Sequence, residues 1–289
     1  MGLFFSSDRF TRPGPGVRPD APRKKGVARL AEIMGRDMWN FFRAGFLAFL
    51  GCLPFIIGMF FAVETHALLF MLLAGIIGGL IAGPELSAMA DTVLRSLRDE
   101  PGYWWETYRR VWKRNARESL VPGMLTGLVL SMQIFTLFHM SVISAGIVTW
   151  VLLILSFVVT LGLESYIWPQ IALLDLPLYG ILKNSLLLFL GYLPRSLGAI
   201  AIKAVYWGAI LLFFPLTTII LPFTNFWLPM LPALLCIYQP LNKCFTIEST
   251  INKMREDELN AALAKDNEPL PEGPTEKAEE STEASSDVQ

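Results

Sequence analysis

From Ser119 to Leu163 the chain carries no Asp, Glu, Lys or Arg, a run of 45 residues. A hydrocarbon core of ~30 Å takes about 20 helical residues to cross. One such run therefore supplies two membrane spans joined by a tight turn near residues 139–146. Two more uncharged runs precede it, Ala44–Val63 and Thr65–Pro84, each of 20 residues. Only 17% of the 289 residues are charged and 53% are apolar, against about 25% charged in soluble domains. The class that follows is all-α and polytopic in a membrane.

Charges and prolines then divide the chain. Residues 1–26, with repeated Pro, Gly and Arg, read as a disordered basic leader. Residues 27–247 read as a membrane domain of six spans, near 40–63, 67–84, 119–140, 143–167, 195–214 and 227–242. Residues 248–289 read as a polar helix and a disordered acidic tail. The first long apolar run starts at Ala44 and ends at Ala62-Val63-Glu64 without a small-x-small site, so it is a span and not a cleaved signal. Helical spacing of Leu30, Ile33, Met34 and Phe41 predicts an inner-surface helix over 27–43 that turns in before the first span. Pro54 is expected to kink that span. Gly83-Pro84 is expected to break the second span, and Ile181–Tyr192 to form a short apolar helix. Pro215, Pro222, Asn225 and Pro229 mark an outer loop.

The 24 Lys and Arg residues settle the expected orientation. Nine lie in the first 43 residues, seven in 95–117, three in 183–203 and five after the last span. None falls in the alternate turns, so both termini are expected on the cytoplasmic side of the membrane. The basic residues abut membrane spans, where anionic lipid neutralises them, which argues against nucleic acid as a partner. Cys52, Cys236 and Cys244 have no CxxC spacing, and the two histidines, His66 and His139, fall in outer turns. No metal or cofactor is expected. The sequence has no GxSxG, HExxH or P-loop motif, so a non-enzymatic role is expected.

Two groups of residues invite a functional reading. Residues 103–117 place Trp104, Tyr108, Val111 and Trp112 on one helical face, with Arg109, Arg110, Lys113, Arg114 and Arg117 around the rest. That pattern predicts a helix at the inner membrane surface, held by aromatics and anionic lipid or docking a cytoplasmic partner. The second group is the polar residues inside spans: Glu85, Gln133, Glu164 and Lys203. An ionisable group at the bilayer centre costs roughly 2.5–3.5 kcal/mol on insertion scales. These four are therefore candidates for a substrate or ion pathway. Glu164 and Lys203 pair between neighbouring spans or snorkel to the interface.

The chain also carries a short internal echo. Asp99-Glu-Pro101-Gly-Tyr103, then Lys113-Arg-Asn115 and Pro122, is followed by Asp175-Leu-Pro177-Leu-Tyr179, then Lys183-Asn184 and Pro194. A parallel repeat is the expectation, with Pro101 and Pro177 as equivalent corners and Asn115 and Asn184 at matching places on surface helices.

Gly83-Pro84 followed by Ala88, the run ending Trp112-Lys113-Arg114-Asn115, and Asp175-Leu-Pro-Leu with Leu182-Lys183-Asn184 resemble the YesL-like family of bacterial integral membrane proteins of unknown function. The likeness covers residues 36–247. The chain departs from it in its longer basic leader, its acidic tail, and Glu85-Leu86-Ser87 where the family has small residues. The resemblance implies an accessory role near a carbohydrate import system, with its subunits as partners. It supplies no catalytic residues. The expected function is a non-enzymatic accessory or assembly factor, and the alternative is a small transporter or channel. A polar cleft through the spans would favour the alternative.

Overall fold

A computed structural model describes residues 23–100, 102–140, 142 and 146–266. No strand occurs among the described residues. The chain divides into two compact units, Met1–Cys244 and Phe245–Gln289. The basic leader up to residue 22, Pro101, and the acidic tail beyond residue 266 lie outside the described residues.

Helix α1, Gly26–Thr65, is unbroken over 40 residues. At ~1.5 Å per residue it is about 60 Å long, twice the thickness of a hydrocarbon core. The inner-surface helix expected over 27–43 is thus the first part of α1 and does not turn. The reason lies in its partners: Ile33 and Phe41 are fully buried, and Arg29 and Arg36 are bonded to the end of the next helix. The helix also passes through Pro54.

Helix α2 runs from Leu68 to Arg98 and is the centre of the first unit. In its most apolar stretch 44% of the residues are buried, against 17–28% in the other long apolar helices. Gly83-Pro84 does not break it. The departure from α-helix is upstream, a π-helical segment over Ala74–Gly78. Gly83 serves close packing instead. A Cβ there would strike the Ser119 carbonyl, and one on Gly79 would strike the Gly123 carbonyl. Small residues on both sides let two backbones touch, the usual contact where helices meet in a membrane.

The partner in that contact is α3, Trp104–Phe138, which is also unbroken and passes through Pro122. The surface helix expected over 103–117 is therefore the first half of a 35-residue rod. Its aromatic face is turned towards α2, not towards lipid. Helix α4, Ile147–Leu173, returns along α3. Pro177 then caps α5, Leu178–Gly191, which doubles back along α4. The close approach of Gly162 to the Phe189 ring and the bond from Gln170 Nε2 to Ser185 Oγ at 2.8 Å fix that pairing. After Tyr192 come α6, Leu193–Leu212, the short α7, Thr217–Thr224, and α8, Trp227–Phe245. The second unit contains the polar helix α9, Ile247–Asp266.

Five helices, α1, α2, α3, α4 and α6, are long and apolar enough to cross a membrane. Helix α8 is not among them, with Pro232 and Pro240 inside it and Lys243 in its last turn. The outer loop expected around Asn225 is corrected too. Asn225 is fully buried. Trp227 stacks on Phe41 at 5.9 Å and Phe223 on Phe42 at 5.9 Å. Both contacts fall where the apolar run of α1 begins, at the end that carries Arg36 and Arg43.

The two halves of the echo also part company. Asn115 is buried in the middle of α3, whereas Asn184 is half-exposed on α5. Pro122 is internal to α3, while Pro194 opens α6. The expected match of those four positions does not hold, because α3 is continuous where α5 and α6 are separate.

Candidate functional site

At the basic end of the bundle, α2 stops at Asp99 in the left-handed conformation, φ 59°. Its last carbonyls have no helical partner. Arginines from α1 fill that need. Arg29 Nη2 donates to the Leu97 carbonyl at 3.1 Å and to Asp99 Oδ2 at 2.6 Å. Arg36 Nη2 donates to the Ser96 carbonyl at 2.8 Å, and its Nη1 pairs with Asp99 Oδ1. Burial alone would raise the Asp99 carboxyl, but hydrogen bonds from Arg36 and Arg29, with their charges, hold it below the usual aspartate range.

About four turns back along α2 from Asp99, three of the sequence candidates become a single unit. Tyr108 Oη donates to Glu85 Oε2 at 2.5 Å, and Trp112 Nε1 donates to Glu85 Oε1 at 2.9 Å. Tyr108 and Trp112 lie one turn apart on α3, so one carboxylate clasps two rungs of that helix. Glu85 thus serves as a bond between α2 and α3. Trp104 packs on Tyr108 at 5.3 Å and lies 5.7 Å from the Arg43 guanidinium, which also covers Trp39 at 5.3 Å.

The basic residues of this segment divide by what they touch. Arg114 Nη2 donates to the Ala172 carbonyl at 2.7 Å, in the last turn of α4, and Arg114 Nε donates to Asn115 Oδ1 at 3.0 Å. It is a helix cap. Arg110 pairs with Glu106 at 3.3 Å, both more than 70% exposed, a geometry worth little in water. Arg109 and Lys113 are exposed.

Gln133 is also a bond between helices. Its Nε2 donates to Ser156 Oγ at 2.5 Å and to Thr160 Oγ1 at 2.8 Å on α4. Tyr166 and Ser196 meet at 2.8 Å. Because Ser196 Oγ already donates to the Phe189 and Tyr192 carbonyls, the tyrosine is the donor.

Glu164 and Lys203 behave differently. Their side chains are 18% and 9% exposed, and Lys203 Nζ lies 3.7 Å from Glu164 Oε2. The expected pair is there, but it is long. Glu164 Oε1 also accepts a 3.3 Å bond from Trp168 Nε1. Both residues line a cavity of about 390 Å³ whose walls come from α1, α2, α3, α4, α6 and the Leu221–Met230 stretch. Apart from the pair, its polar side chains are few. Thr126 lines it, yet the Thr126 hydroxyl donates to the Pro122 and Gly123 carbonyls. The interior is an apolar chamber, not a polar cleft.

The pairing of the two histidines was missed in the sequence reading. His66 Nδ1 and His139 Nε2 are 2.7 Å apart, and His139 Nδ1 is 2.7 Å from the Phe135 carbonyl. A carbonyl only accepts, so His139 Nδ1 carries a proton and its Nε2 accepts from His66. His139 is 6% exposed, although it closes its helix in an expected outer turn. The signal was present: both histidines fall in turns on the same expected side of the membrane, His66 closing α1 and His139 closing α3. Among the described residues no group of three or more His, Cys, Asp or Glu is placed to hold a metal.

No protein-family model matches the chain, nor does any curated protein or solved structure.

Proposed function

We propose that the chain is a non-enzymatic multi-pass protein of the bacterial cell membrane, of the YesL-like kind, acting as an accessory or assembly factor beside a carbohydrate importer. The observation that carries this reading is how the internal polar groups are used. Glu85, Gln133, Tyr166 and Gln170 all bond one helix to another, and the chamber they leave is apolar. A sugar brings several hydroxyls that each need a partner when buried, and this interior does not supply them. Exposed Arg109 and Lys113 remain for anionic lipid or for importer subunits.

In this reading the chain crosses six times, with the α7–α8 region bringing it back and both termini cytoplasmic, as the Lys and Arg distribution supports. Single cysteines at Thr65 and Val142, both exposed, are expected to label from outside the cell. Asn225 is unsuitable because it is buried. A parallel duplication rests only on the shared order of span, Asp-x-Pro-x-Tyr and basic-Asn. Capture from native membranes in mild detergent is expected to retain sugar-importer subunits. Proteoliposomes are expected to show no flux of labelled mono- or disaccharides. The alternative, a small transporter, has one observation in its favour, the Glu164–Lys203 pair facing a chamber. Saccharide flux abolished by Glu164→Gln would establish that alternative and sink the accessory role.

A further inference from the structure

The chamber beside Glu164 and Lys203 has a chemistry of its own, and it stands whether or not the chain works beside an importer. Lys203 is 7% exposed, sits in the middle of α6, and lines the chamber. Its ammonium carries three donors. Its contact with Glu164, at 3.7 Å, is beyond hydrogen-bond length, and no hydrogen bond from Nζ to any described residue is present. One turn along the same face, Trp207 also lines the chamber, and its indole N–H has no acceptor among the described residues. Both residues belong to one face of α6, because positions i and i+4 are neighbours on a helix.

Lys203 has donors to spare beyond its long contact with Glu164, and with the Trp207 N–H on the same wall of an apolar chamber it defines what fits there. The occupant must present an oxygen acceptor to α6 and apolar surface to Phe49, Phe55 and Leu161. Charge decides the next point. Glu164 and Lys203 balance one another, so a carboxylate or phosphate head would bring an uncompensated charge into a low-dielectric space. A neutral carbonyl oxygen has no such penalty. The volume, about 390 Å³, falls in the ~300–1,000 Å³ range of small-molecule sites.

We propose that this chamber binds an uncharged lipophilic carbonyl compound, its carbonyl oxygen accepting from Lys203 Nζ and its apolar body resting among the α1, α3 and α4 side chains. Two sources share that chemistry: a quinone-type ring dione and a neutral acyl ester.

The test compares matched probes on the full chain in nanodiscs, with partition into empty nanodiscs subtracted. 2-Methyl-1,4-naphthoquinone and 2-methylnaphthalene differ only in the two carbonyls, as methyl palmitate and hexadecane differ in the ester. Saturable one-to-one binding, at least tenfold tighter for a carbonyl probe than for its hydrocarbon, is expected. The pair that shows it tells a ring dione from an acyl ester. Glu164→Gln with Lys203→Met keeps the charge balanced and should reduce the carbonyl probe to hydrocarbon affinity. Leu161→Trp should fill the chamber and remove saturable binding of both. Equal affinity within both probe pairs on the unaltered protein would overturn the proposal, and that result needs no variant. Carbonyl binding unaffected by the double substitution in a folded protein would overturn it as well.

Discussion

Two half-buried carboxylates among the spans, Glu85 and Glu164, show how differently one side chain can be held in one bundle. Glu85 accepts bonds of 2.5 and 2.9 Å from Tyr108 and Trp112. It sits where α2 and α3 touch through glycine. Glu164 accepts one bond of 3.3 Å from Trp168 and faces an ammonium 3.7 Å away across a chamber. The first region is closed, and its polar atoms hold helices together. The second is open, and its polar atoms retain capacity. Residue type and depth in a span do not tell these cases apart; the neighbours do.

The comparison can be broken by four measurements, the largest effect first. Glu85→Ala should leave the Tyr108 and Trp112 donors without an acceptor, a loss of ~3–6 kcal/mol given about 1.5–3 kcal/mol for each of the two hydrogen bonds to a charged group. Glu164→Gln with Lys203→Met, measured by the same reversible unfolding in detergent, should cost less than ~1 kcal/mol, because replacing both partners of a long ion pair leaves no uncompensated charge. Equal losses would erase the distinction between the two regions.

Arg114→Gln comes next, with an expected loss of ~1–2 kcal/mol from the bond to the Ala172 carbonyl. It would sharpen the contrast within the basic segment, since its neighbours bond nothing buried.

The third concerns pH at the Asp99 end of the closed region. The folded carboxyl lies below its ordinary value, so its contribution is complete above the unfolded pKa of about 3.9. It is lost as pH falls through the lower, folded value. The stability gap between the protein and its Asp99→Asn variant should therefore be constant from pH 7 to 5 and close only below about pH 4. A gap that closes near neutrality would contradict the arginine network.

Smallest is Arg109→Gln with Lys113→Gln, expected within ~0.5 kcal/mol of the parent, as for other exposed substitutions. Its effect should appear in binding to vesicles containing anionic lipid. A loss of folding would mean that these side chains are buried structural elements after all.

Much of this was legible in advance. Uncharged runs of about 20 residues located α1 to α4, and the Glu164–Lys203 pair could be proposed because both groups fall inside apolar runs of adjacent helices. Proline and glycine misled. Gly83-Pro84 reads as a break, yet it lies inside a continuous helix. The amphipathic segments 27–43 and 103–117 read as lipid-facing because their aromatic and basic pattern suits an interface equally well. What decided against that was Ile33, Phe41 and Tyr108, which found protein partners. Likewise, Asn225 and its flanking prolines have loop composition, and only Phe41, Phe42 and Gly45 turn that stretch into packed structure.

By itself the sequence determined the solvent. Transfer of charge and apolar surface between water and lipid is nearly additive along a chain, so hydropathy alone yields an all-helical multi-pass protein. Which polar groups are bonds and which are a site was decided only in three dimensions. Hydrogen bonds are short and directional, and a 2.5 Å contact between Tyr108 and Glu85 joins residues that no local pattern connects. The Lys203 side chain faces the chamber for the same reason: the tertiary fold brings it only the Glu164 carboxylate, at 3.7 Å.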